Sequence, residues 1–549
     1  MFRTQLPLLA LTAILLPAAA MAQEDRVTLD LLVLSGGLSP VAADGYARAH
    51  TVLTAEDIAT RGLTTVQDAL RAVPGVSVNS TGTAYTRAFI RGADASHTLV
   101  LIDGVEAIGG ADEYFFTGLE TANIERIEIL RGPQSVYYGS NASAGVINIV
   151  TRKATEPGLH YGGSVEVGNG AAASAWLTRR GERGGLSLNL SGRNDNGFDQ
   201  SFQNGEKDGI KRRTAGLSGD WQATEDLSFG FTARRSKERF DYDSSNWAPT
   251  SPGDYVVDDP APFSRRDETT GGLWAEYAML GGRMTHRIDF QDSVFKQSFD
   301  GGPTGRGQTR KLNYRLSYGL DGRPVAQAKH LLNLLAEKQE DKSTSVPGKA
   351  REMASVALEY RGFLDNGLDI QAGLRHDNNK VFEDFTSWNL GLSWRIPDTG
   401  LRLHGSAGTG LVNPSFFELF ADDDFGAWGK YLGNPDLKPE RNGGYDLGIE
   451  TEILGGRGLV DVTYFNESIK DAITQYLVST DAVGPTYSFR NAEGKSPREG
   501  VEISGRLQAT DTLSLGLSYT WLNARDDTGA VLIRRPRSEL GLSATLAFL

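Results

Sequence analysis

After Pro157 the chain consists of long segments in which every second residue is apolar. Leu186, Leu188 and Leu190 alternate with Ser187, Asn189 and Ser191. Leu513, Leu515, Leu517, Tyr519 and Trp521 alternate with Ser514, Gly516, Ser518 and Thr520, and Leu540 to Phe548 repeat the pattern. Such a segment is a strand with two unlike faces. A soluble sandwich turns the polar face to water, whereas a membrane barrel turns the apolar face to lipid and the polar face inward. Alternation alone does not choose, but three further features do. The segments run to about 10–13 residues, long for a globular strand, while about 9–11 cross a bilayer at a tilt. Tight connections such as Phe363–Gly367 and Gly455–Gly458 alternate with long polar ones near 237–266 and 411–440, as outer-membrane barrels require. All eight Trp lie beyond residue 170, and Trp274, Trp394 and Trp521 fall in or near strand ends, where an aromatic girdle would form. A row of soluble sandwiches would need repeats of about 100 residues, and none is seen.

Composition supports a closed sheet. Gly accounts for 65 of 549 residues, Cys for none, and the net charge is −13. A chain this acidic is a poor nucleic-acid binder, and without Cys there are no disulfides or thiolate sites. Mean hydropathy is −0.32, too polar for a helical membrane bundle. No His-Glu-x-x-His-like spacing occurs among the seven His, and no other constellation argues for an enzyme.

The first 22 residues read as a secretory signal. Arg3 is followed by a short apolar stretch from Leu6 to Ala20, then Ala20-Met21-Ala22 as cleavage site. The alternative, an anchor helix, is disfavoured by the short apolar run. Residues 23–50 form a linker, 51–155 a small α+β domain, and 156–549 the strand-rich region. Within the α+β domain, Thr54-Ala-Glu-Asp57 reads as a helix N-cap, Thr64–Ala72 as a second helix, and Thr98–Ile102, Ile124–Leu130 and Val146–Val150 as strands.

The motifs resemble those of TonB-dependent outer-membrane receptors over nearly the whole chain. Ile90-Arg-Gly-Ala-Asp-Ala-Ser-His-Thr-Leu-Val-Leu-Ile-Asp-Gly-Val105, and Ile124–Tyr138 followed by Gly139–Val150, match plug signatures. Gly433-Asn-Pro-Asp-Leu-Lys-Pro-Glu440 and Gly500-Val-Glu502 match barrel motifs. The resemblance implies a transmembrane antiparallel β-barrel with an α+β plug inside it, in the outer membrane of a Gram-negative cell, taking up a scarce large solute. It is nearest to the cobalamin receptor branch, with a ferric-siderophore receptor as the alternative and a surface-binding or signalling barrel as the rival class. The implied partner is TonB with its inner-membrane energising complex, beside outer-membrane lipid, and the receptor is expected to be a monomer.

The TonB box implied by the resemblance is Asp30, Leu31, Leu32, Val33, Leu34, Ser35 and Gly36. Leu31 to Leu34 favour an extended strand able to add to a sheet edge in the partner, with Gly36-Gly37 and Pro40 as a flexible tether. The plug segment Asn79–Thr86 resembles a loop reaching the binding cavity, which nominates Asn79, Ser80, Thr83 and Tyr85. No cofactor is required. The branch resemblance nominates calcium in two outer loops, on Asp199, Glu206, Asp208, Asp241 and Asp243, whose hard oxygens suit that ion. Asp422-Asp423-Asp424 reads as a solvated run. Haem is disfavoured, because no His lies between Asn413-Pro414 and Asn434-Pro435. About 18 strands follow the plug where the family has 22, and the end at Ala547-Phe548-Leu549 is not the family's terminal Phe. Missing C-terminal strands, and with them a non-functional truncated receptor, are therefore an expectation to set beside transport.

Overall fold

A computed structural model describes residues 32–33, 36–39, 41–42, 45–81, 84–110, 113–199, 201, 205–246, 250–251, 253, 255–259, 262–425 and 429–548. The signal segment lies outside them. β1 (Leu32–Val33) pairs with β2 (Val41–Ala42). The plug follows: β3 (His50–Thr54), α1 (Ala55–Thr60), α2 (Val66–Arg71), β4 (Val76–Thr81), β5 (Ala84–Ile90), β6 (Thr98–Ile102), β7 (Val105–Glu106), β8 (Ile124–Arg131), α3 (Ser135–Tyr138) and β9 (Gly145–Thr151). Thr54 caps α1 in a capping box with Asp57. The second helix is shorter than its pattern, because Thr65 caps it by accepting from the Asp68 N–H. The plug sheet runs β3-β8-β9-β6-β7, with β6 and β9 parallel. Its core of Val66, Leu70, Ile90, Leu99, Ile127, Ile129 and Ile147 is fully buried.

The wall begins with β10 (Gly158–Val167), β11 (Gly170–Arg180), β12 (Gly184–Phe198), β13 (Asp208–Gln222) and β14 (Leu227–Asp241). The short β15 (Ser244–Ser245) and β16 (Val256–Val257) pair within a loop. Then come β17 (Phe263–Met279), β18 (Met284–Phe299), β19 (Gly305–Gly319), β20 (His330–Ser343), β21 (Ala350–Phe363), β22 (Leu368–Asn379), β23 (Phe385–Ile396) and β24 (Leu401–Val412). A loop carrying α4 (Phe416–Phe420), β25 (Asp422–Asp424) and β26 (Lys430–Leu432) leads to β27 (Glu440–Ile453) and β28 (Gly458–Lys470). β29 (Ile473–Thr480) and β30 (Pro485–Asn491) join β25 and β26 in a loop sheet. β31 (Lys495–Gln508), β32 (Leu513–Ala524) and β33 (Ser538–Leu546) complete the wall.

Eighteen antiparallel strands thus follow one another as sequence neighbours in one sheet. Among the described residues no pairing joins β10 to β33. Exposure shows which face meets lipid: Leu186, Leu188 and Leu190 are 38–46% exposed, while Ser187 is 1% exposed and Asn189 6%. With the polar face buried against the plug, the apolar face is the outer one. Strands reach 17 residues in β17, longer than the alternation suggests, because their outer ends rise beyond the apolar belt. The two long connections shrink accordingly to 242–262 and 413–439.

Two local expectations need correction. Trp274 sits opposite Gly230 on the inward face and carries the Arg287 guanidinium 4.4 Å from its ring centre, so it belongs to no lipid girdle. Trp394 and Trp521 do face outward, 42% and 37% exposed. Asp422–Asp424 form a short strand paired with Lys430–Leu432 rather than an irregular loop, while Asp422 and Asp424 stay exposed as a solvated run would.

Candidate functional site

The site is the outer mouth, where the plug tip meets the wall. Asn79 to Thr86 is a hairpin of β4 and β5 rather than a loop, and its tip, with Thr83, lies outside the described residues. Asn79 and Ser80 are half-buried on β4. Ser77 to Asn79 line a cleft of about 390 Å³ with Arg534, Arg535 and Pro536 of the wall loop. Tyr85 takes the left-handed region at φ 51°, a costly conformation for a residue with a Cβ. Packing holds it there: its ring centre lies 5.3 Å from Phe115, 5.4 Å from Phe240, 6.4 Å from Tyr242 and 6.3 Å from Phe299. Arginines edge this aromatic group. Arg87 pairs with Glu113 at 2.8 Å, and Arg87 and Arg266 both stack on Phe115. Burial raises the Glu113 carboxyl above its usual range, against the pull of Arg87.

Beside Tyr242 the structure gathers three of the five nominated acids. Glu206, Asp208 and Asp243 bring ligand oxygens within 4.8 Å of one another. Asp199 adjoins them, accepting from Ser201 Oγ at 2.6 Å and Gly205 N at 3.0 Å. Asp241 does not join; it pairs at 2.9 Å with Arg239, because it falls on the outward register of β14. Asp258 was missed by sequence reasoning. It acts on both Glu206 and Asp243 from the far part of the 242–262 connection that also carries Asp243, and only the Asp258-Asp259 pair in the sequence hints at it. Burial, then the charges of Asp243, Glu206, Asp241 and Asp199, raise Asp208 to about 7. Asp243 Oδ2 and Asp258 Oδ1 are buried and accept no hydrogen bond. Oxygens on opposite sides of a calcium ion lie about 4.8 Å apart, so the cluster fits a hard divalent cation.

Deeper in, the motifs legible in the sequence clasp one another. Arg91 of the first plug signature donates through Nε and Nη2 to Glu502 of the Gly500-Val-Glu502 motif at 2.9 and 3.1 Å. It also reaches Glu467 at 3.0 Å and Asp446 at 3.3 Å. Gly75 (φ 76°) sits so close that a Cβ there would run into the Glu502 carboxylate. His97 bridges Ser143 of the second plug signature at 2.6 Å and Glu440 of the barrel motif at 2.7 Å.

At the inner end, Asp30, Leu31, Leu34 and Ser35 lie outside the described residues. Leu32 and Val33 pair with Ala42 and Val41. The expected tether is not free. The Leu38 N–H donates to Glu359 at 3.1 Å, Gln371 donates to the Gly36 carbonyl at 2.9 Å, and Arg361 grips Ser39. A Cβ on Gly37 would stand 2.7 Å from Glu359 Oε1, so the glycine serves close approach to the wall rather than looseness.

This fold and clasp define a class. Residues 158–548 match the family model for the TonB dependent receptor-like β-barrel, and 44–146 that for the TonB-dependent receptor plug domain. The chain belongs to the TonB-dependent receptor family of outer-membrane β-barrels. It is 26% identical to the vitamin B12 transporter BtuB of Vibrio vulnificus, over 98% of this chain and 85% of that protein. It is 25% identical to the iron-regulated outer membrane virulence protein of Vibrio cholerae, over 93% and 80%. Among solved structures it resembles the siderophore receptor PirA of Pseudomonas aeruginosa, with TM-score 0.70 and 22% identity over 87% of this chain and 85% of that one.

Proposed function

We propose that this receptor imports cobalamin or a related corrinoid across the outer membrane, energised by TonB acting on Asp30–Gly36. The observation that carries this reading is the carboxylate cluster set against the aromatic plug tip. Glu206 ends one outer loop and Asp208 begins β13 beside it, Asp243 belongs to another loop, and Tyr242 between Asp241 and Asp243 touches Tyr85. Calcium held by Glu206, Asp208 and Asp243 would supply the positive charge that lets these acids sit together. The two loops and Tyr242 then form one wall of the mouth, and Tyr85 offers its ring to a broad, flat solute. The overall similarity to vitamin B12 transporters over 98% of the chain supports the same solute.

A ferric siderophore is the second reading. The arginines around Phe115 favour it, since a ferric chelate is commonly anionic, and so does the likeness to the iron-regulated relative. In either case the chain moves a solute without transforming it. Titrating the purified receptor separates the readings. Cyanocobalamin should bind in calcium and at least tenfold more weakly after chelation. Binding of a ferric catecholate with none of cyanocobalamin would overturn the first reading.

A further inference from the structure

We propose that the outer wall of β13, β14 and β17 is a binding site for a phosphorylated glycolipid of the outer leaflet. Along the outward register of these strands the apolar belt comprises Ala215, Leu217 and Trp221, then Phe229, Phe231 and Ala233, then Leu273, Ala275 and Tyr277. Immediately above it, on the same face, stand Lys211, Arg213, Arg235, Lys237, Arg239 and Arg265, all exposed. Only two carboxylates share this face: Asp267 pairs with Arg235 and Asp241 with Arg239. Lys211, Arg213 and Lys237 have no carboxylate partner among the described residues. The nearby acids Glu206, Asp208 and Asp243 gather in their own cluster.

Register makes the arrangement costly. Lys211 stands directly opposite Arg239, Arg213 opposite Lys237, and Arg239 opposite Arg265. Like charges facing across an antiparallel pair destabilise the sheet. A chain of net charge −13 that concentrates unpaired cations there needs a counter-charge from outside. Height identifies its source. From Trp221 to Lys211 a strand climbs about 33 Å at ~3.3 Å per residue. At the ~40° tilt of such strands that is about 25 Å along the membrane normal, the height of the apolar band. The cations therefore lie at the outer rim, level with lipid phosphates, and exposed Leu217, Phe229 and Leu273 beneath them offer a surface for acyl chains.

The test is lipid binding by the full receptor in detergent, using bisphosphorylated hexa-acyl lipid A and its dephosphorylated form. The native chain should prefer the phosphorylated form at least tenfold. Lys211→Gln, Arg213→Gln and Lys237→Gln combined should remove that preference. Arg179→Gln with Arg183→Gln, at the opposite rim, should leave it intact. Heat-modified gel mobility checks that each variant is folded. Equal binding of the two lipids by the native chain, or an unchanged preference in the folded triple variant, would overturn the proposal.

Discussion

Two buried arginines, Arg91 and Arg212, hold the plug to opposite parts of the wall in opposite ways. Arg91 belongs to the plug and is inserted among three wall carboxylates, Asp446, Glu467 and Glu502. Arg212 belongs to the wall and is neutralised there by Glu238 at 2.7 Å and Glu268 at 3.2 Å. Among the described residues the plug accepts hydrogen bonds from Arg212 at neutral oxygens, the Thr117 carbonyl and the Tyr114 hydroxyl, and the plug carboxylate Glu120 acts on it only through space. Withdrawing the plug from the first site strands the Arg91 cation and leaves Asp446 and Glu502 without it in a poorly solvated space, while Glu467 keeps the Arg498 cation at 3.6 Å. Withdrawing it from the second leaves the wall's ion pairs intact. Because an unpaired buried charge costs far more than a lost neutral hydrogen bond, the Arg212 side should part first under a pull from the inner end. The pair of plug Glu106 and wall Lys311 at 2.8 Å is the charged contact to be broken next.

Arg91→Ala should have the largest effect. It removes the cation and leaves three buried acids, which should destabilise plug docking by about 3–5 kcal/mol. Denaturant titration of a single cysteine label on the plug, convenient in a chain without Cys, checks it. Tyr114→Phe, on the other side, removes a hydroxyl that also donates to Glu268 at 3.2 Å and should cost less, about 1.5–3 kcal/mol, in the same assay. Equal losses in the two variants would erase the distinction drawn between the sites.

The mouth above the Arg212 side adds a dependence on pH. Asp208 is raised in the folded state to about 7 from an ordinary carboxylate value near 4. Ionising it therefore costs stability, increasingly as pH rises between those values, and a bound cation offsets that cost. Calcium must displace the proton, so its affinity should fall as pH drops below about 7, approaching tenfold per unit. Calorimetry at pH 8, 7 and 6 checks this, with proton release on binding growing from pH 8 to pH 6, where it approaches one per ion. The smallest effect belongs to Asp422→Ala. Its pair with Lys430 at 3.0 Å is largely exposed, and such pairs contribute about 0–1 kcal/mol, so thermal unfolding should hardly move.

Much of the comparison was written in the chain, though not its pairing. Arg91 and Glu502 each stand in a recognisable motif, yet their contact spans 411 residues, and a motif does not name its partner. Alternation fixes which residues share a face, but not what each face meets. Trp274 lies on the polar face because the glycine opposite leaves room for its ring against the wall, which no window of sequence discloses. The docking of Gly36–Ser39 was hidden for a related reason. Two glycines read equally as slack or as close approach, and only the position of Glu359 distinguishes them. Acids of neighbouring loops were half legible: the nearby ones stood out, while Asp258 joins them only through folding.

Import driven from the inner end of the chain is the central claim, and labelled cobalamin uptake by cells carrying the native receptor or Leu32→Pro tests it most directly. Pro cannot donate to an added strand. Accumulation should require TonB and vanish in the variant, while binding at the cell surface persists. Uptake that continues without TonB, or a variant that loses surface binding together with uptake, would contradict the account.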